Sequence, residues 1–206
     1  MATEREERIV RLLEQHHYLE RNMIQQKLFR FKTGKFKTRQ VLTKMCRRGQ
    51  VNRFRNGPRE DYIYHLDQRS QKWRHWLDVN RFHFALLRDL RGWQSIQYHD
   101  FEVSYPYGQA DGFYIVKLTL QDDCLMFYLE MDDGKNKFDK VKKYMNYEKS
   151  GKWKSEWWGR VFPLVVIATC RVEEIGELVR RCGAGKYFRV VAKGAYRELV
   201  RQIKGA

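Results

Sequence analysis

Three carboxylates, Glu130, Asp132 and Asp133, close the apolar run FYLEMDDGK in a chain whose formal net charge is +16. Strand periodicity turns Leu125, Phe127, Leu129 and Met131 to one face of that run, and Tyr128, Glu130 and Asp132 to the other. An earlier run, ADGFYIV, carries Asp111 on the face shared by Phe113, Ile115 and Lys117. If the two runs pair as a hairpin, Asp111, Glu130 and Asp132 converge at one end of a sheet. Carboxylates so grouped suit a hard cation such as Mg2+, which can activate water and stabilise a pentavalent phosphate. The lysine-rich segment that follows, NKFDKVKKYMNYEK, offers Lys140 or Lys143 to the same place. The candidate catalytic set is therefore Asp111, Glu130, Asp132 and Lys140, with the three acids as metal ligands. The structural alternative is ion pairing of these acids with Lys135, Lys137 and Lys140, fixing the strand against the next helix.

The elements that must position these residues follow from the pattern around them. From about Gln68 to Leu90, Trp73, Trp76, Leu77, Val79, Phe82, Phe84, Leu86 and Leu87 form a wide apolar helical stripe. Three strands are expected next, over Trp93–Tyr105, Gly112–Leu120 and Cys124–Asp132, with turns at YPYGQ and QDD. A helix (Asn136–Glu148), a strand (Val161–Cys170), a helix (Val172–Cys182), a strand (Phe188–Lys193) and a last helix complete the order. The apolar run VFPLVVIATC between helices is best buried on both faces, which predicts an α/β core with a mixed sheet.

The first third reads differently. Ile9, Leu12 and Leu13 mark an amphipathic helix over residues 4–15, and LERNMIQQKLF a second. KTGK breaks the chain at Gly34, and KTRQVLTKMCRRG fits a third helix ending at Gly49. Val41, Leu42, Met45 and Cys46 share its apolar face, with Gln40, Thr43, Lys44 and Arg47 opposite. Two alternating runs then flank Asn56-Gly57-Pro58, a hairpin signal. Three helices and a hairpin are the pattern of a winged helix, a helix-turn-helix variant whose third helix enters the major groove of double-stranded DNA. From Lys27 to Arg55 there are eleven Lys and Arg and no acid. Lys35, Lys37, Arg39, Gln40, Lys44, Arg47 and Arg48 on the helix, with Arg53 and Arg55 on the wing, are the candidate DNA contacts, the basic ones neutralising phosphates.

Composition sets the limits. An excess of 41 Lys and Arg over 25 Asp and Glu favours a polyanionic partner, and 15% aromatic residues within 43% hydrophobic content exclude wholesale disorder. The charged opening MATEREERIVRLLEQ lacks the apolar core of a signal peptide, and no apolar run approaches a bilayer span, so no membrane partner and a cytoplasmic protein are expected. Cys46, Cys124, Cys170 and Cys182 lack CxxC spacing and read as reduced core thiols. His16-His17 has no ligand partner at metal spacing. GAGK at Gly183–Lys186 lacks the rest of a phosphate loop and reads as a helix end. SGKWKSEWWGR combines Trp153, Trp157 and Trp158 with Lys152, Lys154 and Arg160, suited either to stacking on an unpaired base or to packing.

The succession ADGFYIV, FYLEMDDGK, KKYMNY and VFPLVVIATCR resembles the replication-relaxation proteins of bacterial plasmids and other mobile elements. The resemblance covers nearly the whole chain. It implies an N-terminal winged helix over residues 1–66 and a PD-(D/E)XK nuclease-like α/β domain over 67–206, with residues 67–90 as a linking or opening helix. Glu130, Asp132, Gly134, Tyr144 and Tyr147 fall on the family's strand motif and tyrosine pair. Ala110 stands where the family often has Pro, and Lys135 where it has Thr. Active nucleases of the superfamily generally place Lys at the second position after the Glu, where this chain has Asp132. The reading that results is a DNA-binding protein controlling replication, transfer or transcription, with a nuclease-like domain retained as a scaffold or as a means of homodimerisation. The alternatives are a Mg2+-dependent endonuclease and an interaction module for a relaxase or replication initiator.

Overall fold

Thr3 and Glu6 start the chain's first helix by capping each other. Glu6 N–H donates to Thr3 Oγ1 at 3.3 Å, and Thr3 N–H donates to Glu6 Oε2 at 2.8 Å, so two otherwise orphaned backbone donors are satisfied. In the computed structural model, which describes residues 3–90, 92–118, 124–196 and Leu199, the chain has an α/β fold divided into two compact units, Met1–Phe84 and Ala85–Ala206.

The first unit holds α1 (Glu4–His16), β1 (Leu19–Glu20), α2 (Arg21–Leu28), α3 (Gly34–Arg47), β2 (Asn52–Phe54) and β3 (Ile63–His65). The strands make an antiparallel sheet of order β1-β3-β2, in which the expected hairpin gains a short third strand. Gly34 does not merely break the chain: it opens α3, three residues earlier than expected. A Cβ at Gly34 would collide with the Phe29 carbonyl, so only glycine lets α3 start so close to the end of α2. Ile9, Leu13, Leu19, Ile24, Phe29, Leu42 and Met45 form the core. α4 (Trp73–Asp89), in the stretch read from sequence as a linking or opening helix, runs across the division, with most of its length in the first unit. Asn80, wholly buried on α4, donates to the carbonyls of His16 (2.7 Å) and Tyr18 (3.0 Å), while its Oδ1 lies 2.8 Å from His16 Nδ1. That set of bonds fastens α4 to the α1–β1 turn.

The second unit contains β4 (Ser95–Tyr105), β5 (Gly108–Lys117), β6 (Cys124–Met131), α5 (Lys140–Ser150), β7 (Leu164–Thr169), α6 (Val172–Arg181) and β8 (Phe188–Ala192). They form a mixed sheet of order β4-β5-β6-β7-β8, antiparallel from β4 to β6 and parallel from β6 to β8. Both faces are buried: Phe113, Tyr128, Val165 and Ile167 join the residues of α5 and α6 on one, and Tyr114, Phe127, Leu129 and Val166 are enclosed on the other. This is what the near-continuous apolar strands required. The QDD turn, the end of the expected second strand at Leu120 and the last helix lie outside the described residues.

The cysteines depart from expectation. All four are free, but Cys124 and Cys170, at or just past the ends of their strands, are exposed, and Cys46 and Cys182 are half-buried, Cys182 against the core of the second unit. No helix among the described residues is long and apolar enough to cross a membrane.

Candidate functional site

The acids of the second unit are divided by the sheet's register into two groups. Gly112 pairs with Leu129 in the β5–β6 ladder, so Asp111 falls across from Glu130, as expected for a hairpin. Asp111 Oδ2 accepts the backbone N–H of Met131 at 2.6 Å. Glu130 is only 2% exposed, and its Oε1 accepts the Tyr144 hydroxyl at 2.7 Å. Lys140 Nζ lies 2.9 Å from its Oε2 and also donates to the Gln109 carbonyl. α5 thus places Lys140 and Tyr144, one turn apart, on the same carboxylate. Burial and the nearby negative charge of Asp111 push the Glu130 carboxyl up to about 7, against the opposing pull of Lys140 and Tyr144.

Asp132 belongs to the other group. It sits beyond the end of β6, where Arg171 Nε donates to its Oδ2 at 3.1 Å and Arg171 Nη2 to its Oδ1 at 2.9 Å. Thr169 Oγ1 donates to Oδ2 at 2.6 Å, and Gly134 N–H to Oδ1 at 3.0 Å. Gly134 has φ +70°, the left-handed conformation that folds its amide back on the carboxylate. Burial alone would raise the Asp132 carboxyl, but the hydrogen bonds from Arg171, Thr169 and Gly134 and the Arg171 charge prevail and hold it low.

The expected triad of metal ligands is therefore corrected. Asp111 and Glu130 come together with Lys140, whereas Asp132 is engaged by Arg171, Thr169 and Gly134. Among the described residues no group of three or more His, Cys, Asp or Glu is arranged to hold a metal ion. The three acids do not form one ligand set, because Asp132 is bound by Arg171 while Asp111 and Glu130 adjoin Lys140. Lys117, paired with Cys124, stands at the far end of β5. Asp133 is ion-paired with Lys193 at 3.0 Å, and Lys143 with Asp139 at 2.7 Å.

The basic residues of the first unit form a surface. Thr38, Leu42 and Met45 turn α3 inward, which leaves Phe36, Gln40, Thr43 and Arg47 along the opposite stripe. Phe36 is 72% exposed; Lys35, Arg39, Gln40 and Arg47 are exposed too. Lys37 donates to Gln40 Oε1 at 3.2 Å. Lys44 and Arg48 lie toward α1, 3.9 Å and 3.5 Å from Glu6 Oε1, and so are partly neutralised. On the hairpin, the guanidinium carbons of Arg53 and Arg55 lie 4.3 Å and 3.9 Å from the centre of the Tyr62 ring. Asp61, beside that ring, is taken by Arg21 at 2.7 Å.

Two residues stand out that the sequence reading passed over. Arg171 meets Asp132 only because β6 and β7 run parallel with Met131 opposite Ala168, a long-range register with no local signal. Tyr62 was within reach, since an aromatic residue across a hairpin from alternating arginines is a recognisable cation–π pattern. No protein-family model matches the chain, and no curated protein and no solved structure gives a significant match to it.

Proposed function

We propose that the chain is a DNA-binding protein whose first unit acts as a winged helix, with α3 in the major groove and the β2–β3 hairpin as the wing. The observation that carries this reading is the one-signed surface: no acid interrupts the eleven Lys and Arg from Lys27 to Arg55, and Lys35, Arg39, Arg47, Arg53 and Arg55 are exposed. Such a surface neutralises phosphates and releases counterions. The second unit is read as a nuclease-like scaffold, in the manner of the replication-relaxation proteins, in which Asp132 has exchanged a catalytic position for the grip of Arg171. Control of replication, transfer or transcription of a mobile element in the cytoplasm, as a homodimer or beside a relaxase or replication initiator, follows from that resemblance. A gel shift on duplex DNA across a salt series tests the core of the reading. Arg47→Ala with Arg39→Ala should weaken binding and flatten its salt dependence; unchanged affinity and slope refute it.

A second reading, a metal-dependent endonuclease, keeps one observation in its favour: Asp111, Glu130 and Lys140 do meet. Incubation of the protein with plasmid and Mg2+ or Mn2+, beside Glu130→Ala, decides it. Nicking that the substitution abolishes establishes the enzyme, whereas a specific shift without cleavage leaves the scaffold.

A further inference from the structure

At the end of the second unit's sheet remote from Glu130, a cleft of about 470 Å3 opens between the start of β6, the start of β7, α5 and the loop that precedes β7. Five residues of β6 lie between Cys124 at its edge and Glu130, so those two residues lie roughly 20 Å apart along the strand. Its volume falls in the range of small-molecule and nucleotide pockets. Three aromatic rings wall it, Trp153, Phe162 and Tyr187, fixed edge to face at 5.7 Å and 5.5 Å between centroids. Trp153 Nε1 donates to the Glu148 carbonyl at 3.1 Å and the Tyr187 hydroxyl to Glu148 Oε1 at 2.9 Å, so the wall is held before any ligand arrives.

The charges around this wall are cationic. Arg160 and Lys186 line the cleft, and among the described residues neither is held in an ion pair. Lys186 Nζ lies 5.2 Å from the Tyr187 ring centre, and Lys154 Nζ 5.8 Å from that of Trp153. The one carboxylate present, Glu148, is occupied on Oε1 by Tyr187, which leaves Oε2 to accept an amino hydrogen. Rigid aromatic faces beside unpaired cations are what a nucleobase with its flanking phosphates requires, since the base stacks and the phosphates meet the cations. A base still paired inside a duplex cannot enter such a cleft.

We propose that this cleft binds an unpaired nucleotide of single-stranded nucleic acid, the base against Trp153 and Tyr187, which the buried Phe162 backs, and the flanking phosphates on Arg160 and Lys186. The site goes beyond duplex recognition by α3 and stands on different residues. It gives the second unit a use that requires no cleavage: holding a strand that has been opened.

The test is fluorescence anisotropy with a labelled single-stranded oligodeoxycytidylate and, separately, a labelled duplex, using the full chain. Arg160→Glu with Lys186→Glu should weaken single-strand binding at least about tenfold, because two phosphate contacts become repulsive, and leave duplex binding unchanged. Arg39→Ala with Arg47→Ala should do the reverse, so failure of one reading is distinguishable from failure of the other. Unaltered single-strand affinity in the double glutamate variant, or no single-strand binding by the parent chain, overturns the proposal. So does a parallel loss on both probes, which would mark general electrostatics, or a parent dimer that the variant dissociates, which would make a second copy the occupant. Both substituted side chains lie at the cleft's rim, and an unchanged thermal midpoint checks that the variant is folded.

Discussion

Arg171 grips Asp132 with two nitrogens, at 3.1 Å and 2.9 Å, and ties the loop after β6 to the turn between β7 and α6. The geometry is the paired fork that arginine makes with a carboxylate, and Thr169 adds a third donor. Asp132 is 7% exposed, so removing the guanidinium strands a carboxylate that water reaches poorly. Arg171→Ala should therefore lower the urea midpoint at pH 7 more than Asp132→Asn, which removes the charge that needs compensating. Because the folded Asp132 carboxyl is held below its ordinary value, its contribution is present above the unfolded value of 3.8 and is lost as pH falls through the lower folded value. Parent and Arg171→Ala should converge in stability toward the acid end of a pH series of urea melts.

Glu130 has the opposite sign. Its folded carboxyl holds a proton up to about pH 7, whereas the unfolded chain releases it near 4.5. Between those values the folded state binds more protons, so this group's contribution falls as pH rises. Glu130→Gln, which keeps shape and cannot ionise, should flatten the stability profile between about pH 5 and pH 7, by on the order of 2 kcal/mol. Lys140→Met should steepen the parent's decline, since the ammonium is what tolerates the ionised form. Equal slopes in all three proteins would show that Glu130 does not titrate in that window.

The division between what could be read from residues and what could not is physical. Alternation placed Glu130 and Asp111 on one face and the β5–β6 hairpin brought them opposite, because side-chain alternation and a short hairpin connection are both local signals. The mixed sheet followed from apolar strands set between helices. The partners of Asp132 could not be read in the same way: it lies one residue beyond the β6 strand, and Arg171, 39 residues away in the chain, reaches it through a parallel register. Gly34 was read as a break because glycine alone does not say whether it ends one helix or lets the next approach; the Phe29 carbonyl decides that. The pairing of Lys44 and Arg48 with Glu6 depends on how α1 packs against α3, which neither helix's own pattern carries.

Asn80 offers a test of the first unit's integrity. It is wholly buried and bonded to the His16 ring and to the carbonyls of His16 and Tyr18. Asn80→Ala removes three partners from groups with little access to water and should cost about 2 to 4 kcal/mol in urea unfolding. Asn80→Asp, which keeps the acceptor for the His16 ring but loses the donors, should be no better than alanine. A loss under half a kilocalorie in either would mean that water replaces Asn80 at this junction.

Tyr62 organises two cations of the hairpin. Arg53 and Arg55 both lie within 4.3 Å of the centre of its ring, and among the described residues no carboxylate pairs with either. Two like charges on one ring repel, and the ring's negative face offsets only part of that. A phosphate oxygen between them would relieve the rest, so the pair is poised for an anion. In duplex binding across a salt series, Arg53→Ala with Arg55→Ala should reduce the slope of log affinity against log salt by about 1.8, the release of two counterions. Tyr62→Ala, which keeps both charges, should weaken binding by a smaller factor and leave the slope nearly unchanged, because it loosens the guanidiniums without removing them. Tyr62→Phe, which retains the ring face, should restore affinity. If Tyr62→Ala and the double arginine variant instead change the slope equally, the ring is holding the hairpin together rather than setting its cations.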